Sequence, residues 1–260
     1  MILRRLALSL ASALLLALEW QAWGLPATIR GTPHDLSALS STEGPKATTE
    51  KQICVFCHTP HEAYGGSSLW NHRLSVVTQY TLPSGPTQLS TPTNPPDGSS
   101  KLCLSCHDGT VAIGSVLLAS QSRNTTIPMI RTGPGGIMPG SPVPGLHAGP
   151  NLGTDLSGTH LISIAVNDLL IADKNRQFAN NETSLRLAYP PPGDPVKLSR
   201  TGNVYKGAPG RDGRGIQCTT CHDPHDNTIG KFLVKPVTDA GQQSVPLQGG
   251  TLCETCHPPR

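Results

Sequence analysis

Every cysteine of this chain belongs to one five-residue pattern, Cys-x-x-Cys-His, which occurs four times: Cys54-Val-Phe-Cys57-His58, Cys103-Leu-Ser-Cys106-His107, Cys218-Thr-Thr-Cys221-His222 and Cys253-Glu-Thr-Cys256-His257. Two thiols about one helical turn apart, followed directly by an imidazole, make a three-point clamp. The thiols reach the two vinyl groups of a porphyrin while the histidine ligates its iron from the same side. Four clamps that consume all eight cysteines are what any fold of this chain has to accommodate.

Other uses of the pattern fit less well. Paired Cys-x-x-Cys knuckles bind zinc, but the gaps between pairs here are roughly 45, 110 and 30 residues, against the ~15–20 of zinc ribbons, and zinc requires no histidine after each pair. A disulfide framework leaves that histidine equally unexplained. The expectation is four covalently bound haem c groups, each with iron, anchored by Cys54, Cys57, Cys103, Cys106, Cys218, Cys221, Cys253 and Cys256. His58, His107, His222 and His257 are then the proximal ligands.

Composition agrees with a fold organised by prosthetic groups. The 260 residues hold 27 Gly and 25 Pro but only 4% aromatics, too little large apolar side chain for an ordinary core. Without help, residues 83–100 and 131–151 are too Pro- and Gly-rich to order. Porphyrin faces supply the missing apolar surface, as metals and disulfides do in domains too small to bury a core. The fold class expected is haem-organised: mostly irregular coil, short α-helices at the attachment motifs, few short strands and little conventional hydrophobic core. Residues 49–52 and 251–254 read as capping boxes before the first and over the last motif, and Ser99 or Ser100 as a cap for the second. Residues 161–171 are apolar enough for a small strand or helix packed on a haem.

Residues 1–24 read as a signal peptide. Arg4 and Arg5 precede an apolar run over 6–18, and Ala22-Trp23-Gly24 offers a small-x-small cleavage site. The run is shorter than the ~20 residues that cross a bilayer, and no later stretch is long enough. The mature chain, 25–260, is therefore expected to be secreted into an oxidising compartment, periplasmic or extracellular, with no transmembrane segment. It divides into a lobe with haems 1 and 2 (about 25–125), a linker and ligand segment (about 126–200) and a lobe with haems 3 and 4 (about 201–260). The formal charge of +3 includes no dense Lys/Arg run, and eight haem propionates would make the loaded protein acidic, so no nucleic-acid partner is expected. Gly133-Pro134-Gly135-Gly136 lacks the Lys-Ser/Thr ending of a phosphate loop. Asn124-Thr125-Thr126 and Asn181-Glu182-Thr183 match the N-glycosylation triplet.

The chemistry turns on the second axial ligand. Six histidines lie outside the motifs: His34, His61, His72, His147, His160 and His225. They outnumber the irons, and Met129 and Met138 read as packing or surface residues. His61 and His225 recur at one offset, in His58-Thr59-Pro60-His61 and His222-Asp223-Pro224-His225. Three residues beyond a proximal histidine, neither reaches the far face of the same haem, so each is expected to ligate a neighbouring one.

The segments around these motifs resemble the multihaem cytochromes with doubled Cys-x-x-Cys-His motifs, including tetrahaem members that polymerise into extracellular conducting filaments. The matching stretches are His34-Asp35-Leu36-Ser37, residues 54–61, Leu69-Trp70-Asn71, residues 100–111, residues 152–157 with His160, and residues 221–225. The resemblance implies bis-histidine haems and an electron-transfer role, with His34, His61, His160 and His225 as distal ligands and His72 in reserve. His160-Leu161 departs from the His-Pro of such families. In the filament-forming members a histidine of one subunit ligates a haem of the next, and His34, on an N-terminal arm, is the homopolymer candidate.

The function expected is an exported tetrahaem c-type cytochrome, an electron-transport protein rather than an enzyme. It would carry electrons along closely packed bis-histidine haems to redox partners or extracellular acceptors, as a carrier or a polymerising extracellular filament. The competing reading is a multihaem reductase with one open haem, which needs an unligated iron.

Overall fold

The computed structural model describes residues 29–59, 69–83, 94–118, 123–140, 149–180, 185–237 and 251–259. The signal-like segment 1–24, His61 and His147 lie outside them. Coil predominates, interrupted by strands of two to four residues. Strand β1 (Lys46–Ala47) pairs antiparallel with β4 (Met129–Ile130), and β2 (Ser115–Leu118) with β3 (Arg123–Thr126). A three-stranded antiparallel sheet has the order β5 (Ile164–Ala165), β9 (Arg214–Ile216), β6 (Ser199–Arg200). Strands β7 (Val204–Tyr205) and β8 (Ala208–Pro209) form a further ribbon. Within residues 126–200, β4 pairs with β1 of the first part of the chain, and β5 and β6 pair with β9 of the last.

The motifs do not all carry helices. The second lies in α1 (Gly98–His107) and the third in α3 (Cys218–Cys221), but the first makes only a 3-10 turn, Cys54–Phe56, and the fourth a hydrogen-bonded turn. What recurs is one bond. The histidine N–H donates to the carbonyl of the first cysteine in motifs one, three and four (2.8, 3.0 and 2.8 Å), which gathers both thiols and the imidazole onto one turn.

Capping follows the expected partners at the last motif but not before the first two. Over residues 49–52 no capping box forms: the Gln52 N–H donates to Glu50 Oε1 at 2.8 Å instead. Over 251–254 the box is reciprocal, with Thr251 N–H donating to Glu254 Oε2 at 2.8 Å and Glu254 N–H to Thr251 Oγ1 at 3.3 Å. Neither Ser99 nor Ser100 caps α1, whose N-cap is Asp97.

Residues 161–171 divide into β5 and the start of α2 (Asp168–Asn180). Asn167 separates them. Its Oδ1 accepts the Leu170 N–H at 2.9 Å as an N-cap, and its Nδ2 reaches the Ala208 carbonyl at 3.0 Å, tying helix to ribbon.

Three small apolar clusters replace a single core: Ala47, Val55, Phe56, Val116 and Ile127; Val166, Leu170, Leu187 and Tyr205; Tyr80, Leu104 and Leu156. They sit behind the motifs. The second intervening residue of every motif is buried (Phe56 1%, Ser105 0%, Thr220 2%, Thr255 8% exposed), and Cys57 and Cys256 pack against the first and second clusters. Leu104 of motif two and Val55 of motif one are buried beside them.

Candidate functional site

The motif histidines meet histidines from elsewhere in pairs. His58 of the first motif faces His225 with ring centroids 6.0 Å apart and planes 17° from parallel. His107 of the second faces His34 at 6.1 Å and 64°, and His257 of the fourth faces His160 at 6.3 Å and 49°. Metal–imidazole bonds are about 2.0–2.1 Å, so two trans ligands, each nitrogen about 1.1 Å from its ring centre, set their centroids about 6.2 Å apart. All three pairs lie near the separation that two imidazoles on one metal would take, a distance that ordinary ring contacts such as His58–Trp70 (6.2 Å) share. The remaining motif histidine, His222, has no such partner among the described residues, and His61 lies outside them.

Backbone carbonyls orient these rings. Nδ1–H of His107 donates to the Pro150 carbonyl (2.7 Å), that of His222 to Lys231 (2.8 Å) and that of His257 to Arg186 (2.7 Å). Among the non-motif rings, His34 Nδ1 meets the Pro224 carbonyl at 3.2 Å and His160 Nδ1 that of Leu161 at 2.9 Å. A carbonyl only accepts, so the proton sits on Nδ1 and the Nε2 lone pair is left for a metal. His225 Nδ1 lies 3.3 Å from the Asp223 carboxylate, a stronger acceptor. Burial holds the His34 and His107 imidazoles below their ordinary pKa, which keeps them in the neutral, ligating form.

His72 is different. Its Nδ1 meets the Arg73 carbonyl at 2.8 Å and its Nε2 lies 3.1 and 3.2 Å from the carbonyls of Ala112 and Ile113. It is 1% exposed, and neither nitrogen faces open space, so its role is to tie backbone segments together. Met138 is buried and Met129 packs on the first cluster, as packing residues do.

The arm that bears His34 is not loose. The buried Asp35 carboxylate accepts the Gly31 N–H at 3.0 Å and the Ser37 hydroxyl at 2.7 Å, and Ala47 N–H donates to the Leu36 carbonyl at 2.8 Å. The His34 ring stacks on Phe232 at 4.0 Å. His34 therefore meets His107 within its own chain. Phe232 and Lys231 both have positive φ (56° and 51°), a conformation that costs about 1–3 kcal/mol each. That backbone brings the Lys231 carbonyl to His222 and the Phe232 ring to His34 together. No sequence signal marks Phe232, Pro150 or Arg186 for these roles, because each acts through a tertiary contact.

No disulfide joins any of the eight cysteines. Burial pushes the Cys57, Cys221 and Cys256 thiols up to about 11 and raises Cys106 further, whereas the hydrogen bond from Cys103 brings Cys218 down to about 7. Among the described residues no group of three or more His, Cys, Asp or Glu gathers round a metal position; the convergent groups are pairs. Neighbouring motifs lie side by side: Cys57 acts on Cys106, Cys103 contacts Cys218, and Cys221 feels Cys253 and Cys256. Motif order in space is thus motif order in sequence.

Among the described residues no helix is long and apolar enough to cross a membrane. Comparison with protein-family models gives no match, and comparison with curated proteins gives no relative.

Proposed function

We propose that this chain is an exported tetrahaem c-type cytochrome that carries electrons through four bis-histidine haems. The observation that carries the reading is the pairing of His58 with His225, His107 with His34 and His257 with His160 at 6.0–6.3 Å. Each pair joins one motif histidine to one from outside the motifs. The remaining motif histidine, His222, is assigned to His61, which makes the exchange between the first and third motifs reciprocal.

When bound, the haems supply reversible one-electron oxidation and reduction of iron. The residues of this chain do the rest. The eight cysteines would fix the four groups covalently, two to each, and the histidine pairs would supply two iron ligands apiece. The carbonyls of Pro150, Lys231 and Arg186 hold the proximal rings in orientation and raise their basicity. His225 crosses from the third motif to the first, so distal ligation also locks non-adjacent parts of the chain together. Three of the four motif histidines have a second histidine at hand, which supports the carrier reading over a reductase that needs an open iron.

The partners proposed are redox proteins or extracellular electron acceptors. A homopolymer in which His34 serves a neighbouring subunit's haem competes with the pairing of His34 and His107 inside one chain, which the ring contact at 6.1 Å supports. Exposing the reduced protein to carbon monoxide tests the closed-iron reading. An unchanged visible spectrum is expected, and a stoichiometric carbon monoxide adduct would favour a reductase.

A further inference from the structure

Helices α1 and α3, which carry the second and third motifs, pack against each other, and each supplies a hydrogen bond to the N-terminus of the other. Gln217, directly before Cys218, is 1% exposed, and its Oε1 accepts the Ser100 N–H at 3.1 Å. In return, Ser100 Oγ accepts the Cys218 N–H at 3.0 Å. A second layer locks this exchange. Gln217 Nε2 donates to Asp97 Oδ1 at 2.8 Å, and Asp97 also accepts the Gly202 N–H at 2.6 Å. The hydroxyls of Ser99 and Thr219 meet at 2.6 Å. Gly98, at φ +53°, lets the chains close up, since a Cβ there would lie 2.6 Å from the Arg200 carbonyl.

The centre of the network, Gln217 and Ser100, is buried, and its bonds are directional. Apolar contacts alone would let two short helices slide, whereas paired hydrogen bonds with defined angles fix one register, and a slip would strand buried donors. The fixed register sets the first thiols of the two motifs, Cys103 and Cys218, in contact. No other two motifs are joined by a reciprocal side-chain exchange of this kind among the described residues.

Resting on the haem-carrier reading above, we propose that the Ser100–Gln217 interlock is the positioning element that sets the separation of the second and third haem-attachment sites, and so the coupling between the groups they bear. It touches neither group and acts through the two helices. Gln217→Ala leaves every cysteine and histidine in place while removing the amide that holds the register.

The experiment compares wild type, Gln217→Ala and Leu170→Ala, each loaded with haem in a host that attaches it covalently. The readouts are haem count, melting temperature and circular dichroism in the Soret band, where coupled haems give a bisignate signal. Leu170 is buried in the second cluster and serves as a control that destabilises without touching the interlock. Support is a Gln217→Ala protein with four haems and a reduced or reshaped Soret couplet, while Leu170→Ala lowers the melting temperature and keeps the couplet. A Gln217→Ala protein with four haems and the wild-type couplet overturns the inference. If Gln217→Ala does not load, Ser100→Ala, which deletes one hydroxyl, is read by the same criteria. A wild-type chain without haem overturns the carrier reading itself and this inference with it.

Discussion

His225 stands 6.0 Å from His58, ring centre to ring centre, although one belongs to the third motif and the other to the first. Its own motif histidine, His222, is the nearer in sequence, yet the intervening Asp223-Pro224 points His225 away. On the proposed reading, an iron held between them would tie distant segments together where apolar packing does not, and so would compensate for the scarcity of large side chains.

Replacing His225 with Ala should therefore affect the haem on the first motif, not the third. One haem of four is expected to turn high-spin and bind carbon monoxide. Electron paramagnetic resonance of the oxidised protein checks this, and four unchanged low-spin signals would refute the pairing.

His72 predicts the opposite outcome. Since both its nitrogens face backbone carbonyls, His72→Ala should leave all four haems low-spin. It should lower stability by about 1–3 kcal/mol, the cost of stranding buried polar groups. A high-spin haem in this variant would show that His72 is a ligand after all.

Phe56, between the two cysteines of the first motif, is 1% exposed and packs in the first cluster. Phe56→Ala should cost about 3–5 kcal/mol, measured by denaturant unfolding of the loaded protein. A loss below about 1 kcal/mol would mean that the porphyrin, and not this cluster, holds the motif.

Asp173 supplies a pH test away from the iron ligands. Lys206, and then the Tyr205 hydroxyl, hold its carboxyl down at about 2. A carboxylate with a depressed pKa stabilises the fold above its unfolded pKa of about 3.9, and the contribution is lost as pH falls below that value toward the folded pKa. The melting-temperature gap between wild type and Asp173→Asn should be full at pH 6 and shrink from about pH 4 downward. A gap that stays constant to pH 2.5 would contradict the assignment.

The motifs of the proposed site are legible in the sequence because covalent attachment would demand fixed spacing. Five consecutive residues would supply both thiols and the iron ligand whatever the surrounding fold. The pairing was less legible. That His34 belongs with His107 depends on Asp35 folding the arm back and on Phe232 stacking, contacts between residues far apart in the chain. The fold was legible only as a class, since strands of two residues carry no periodicity. The expectation of a helix at every motif failed for the first and fourth, where one hydrogen-bonded turn suffices to gather the three groups.

Haem stoichiometry of the purified chain, by intact mass and pyridine haemochrome together, tests the central claim most directly. Four covalently attached haems c per polypeptide, with no free thiol, is the result expected. A mass equal to the bare polypeptide, or thiols that bind zinc or form disulfides, would contradict it.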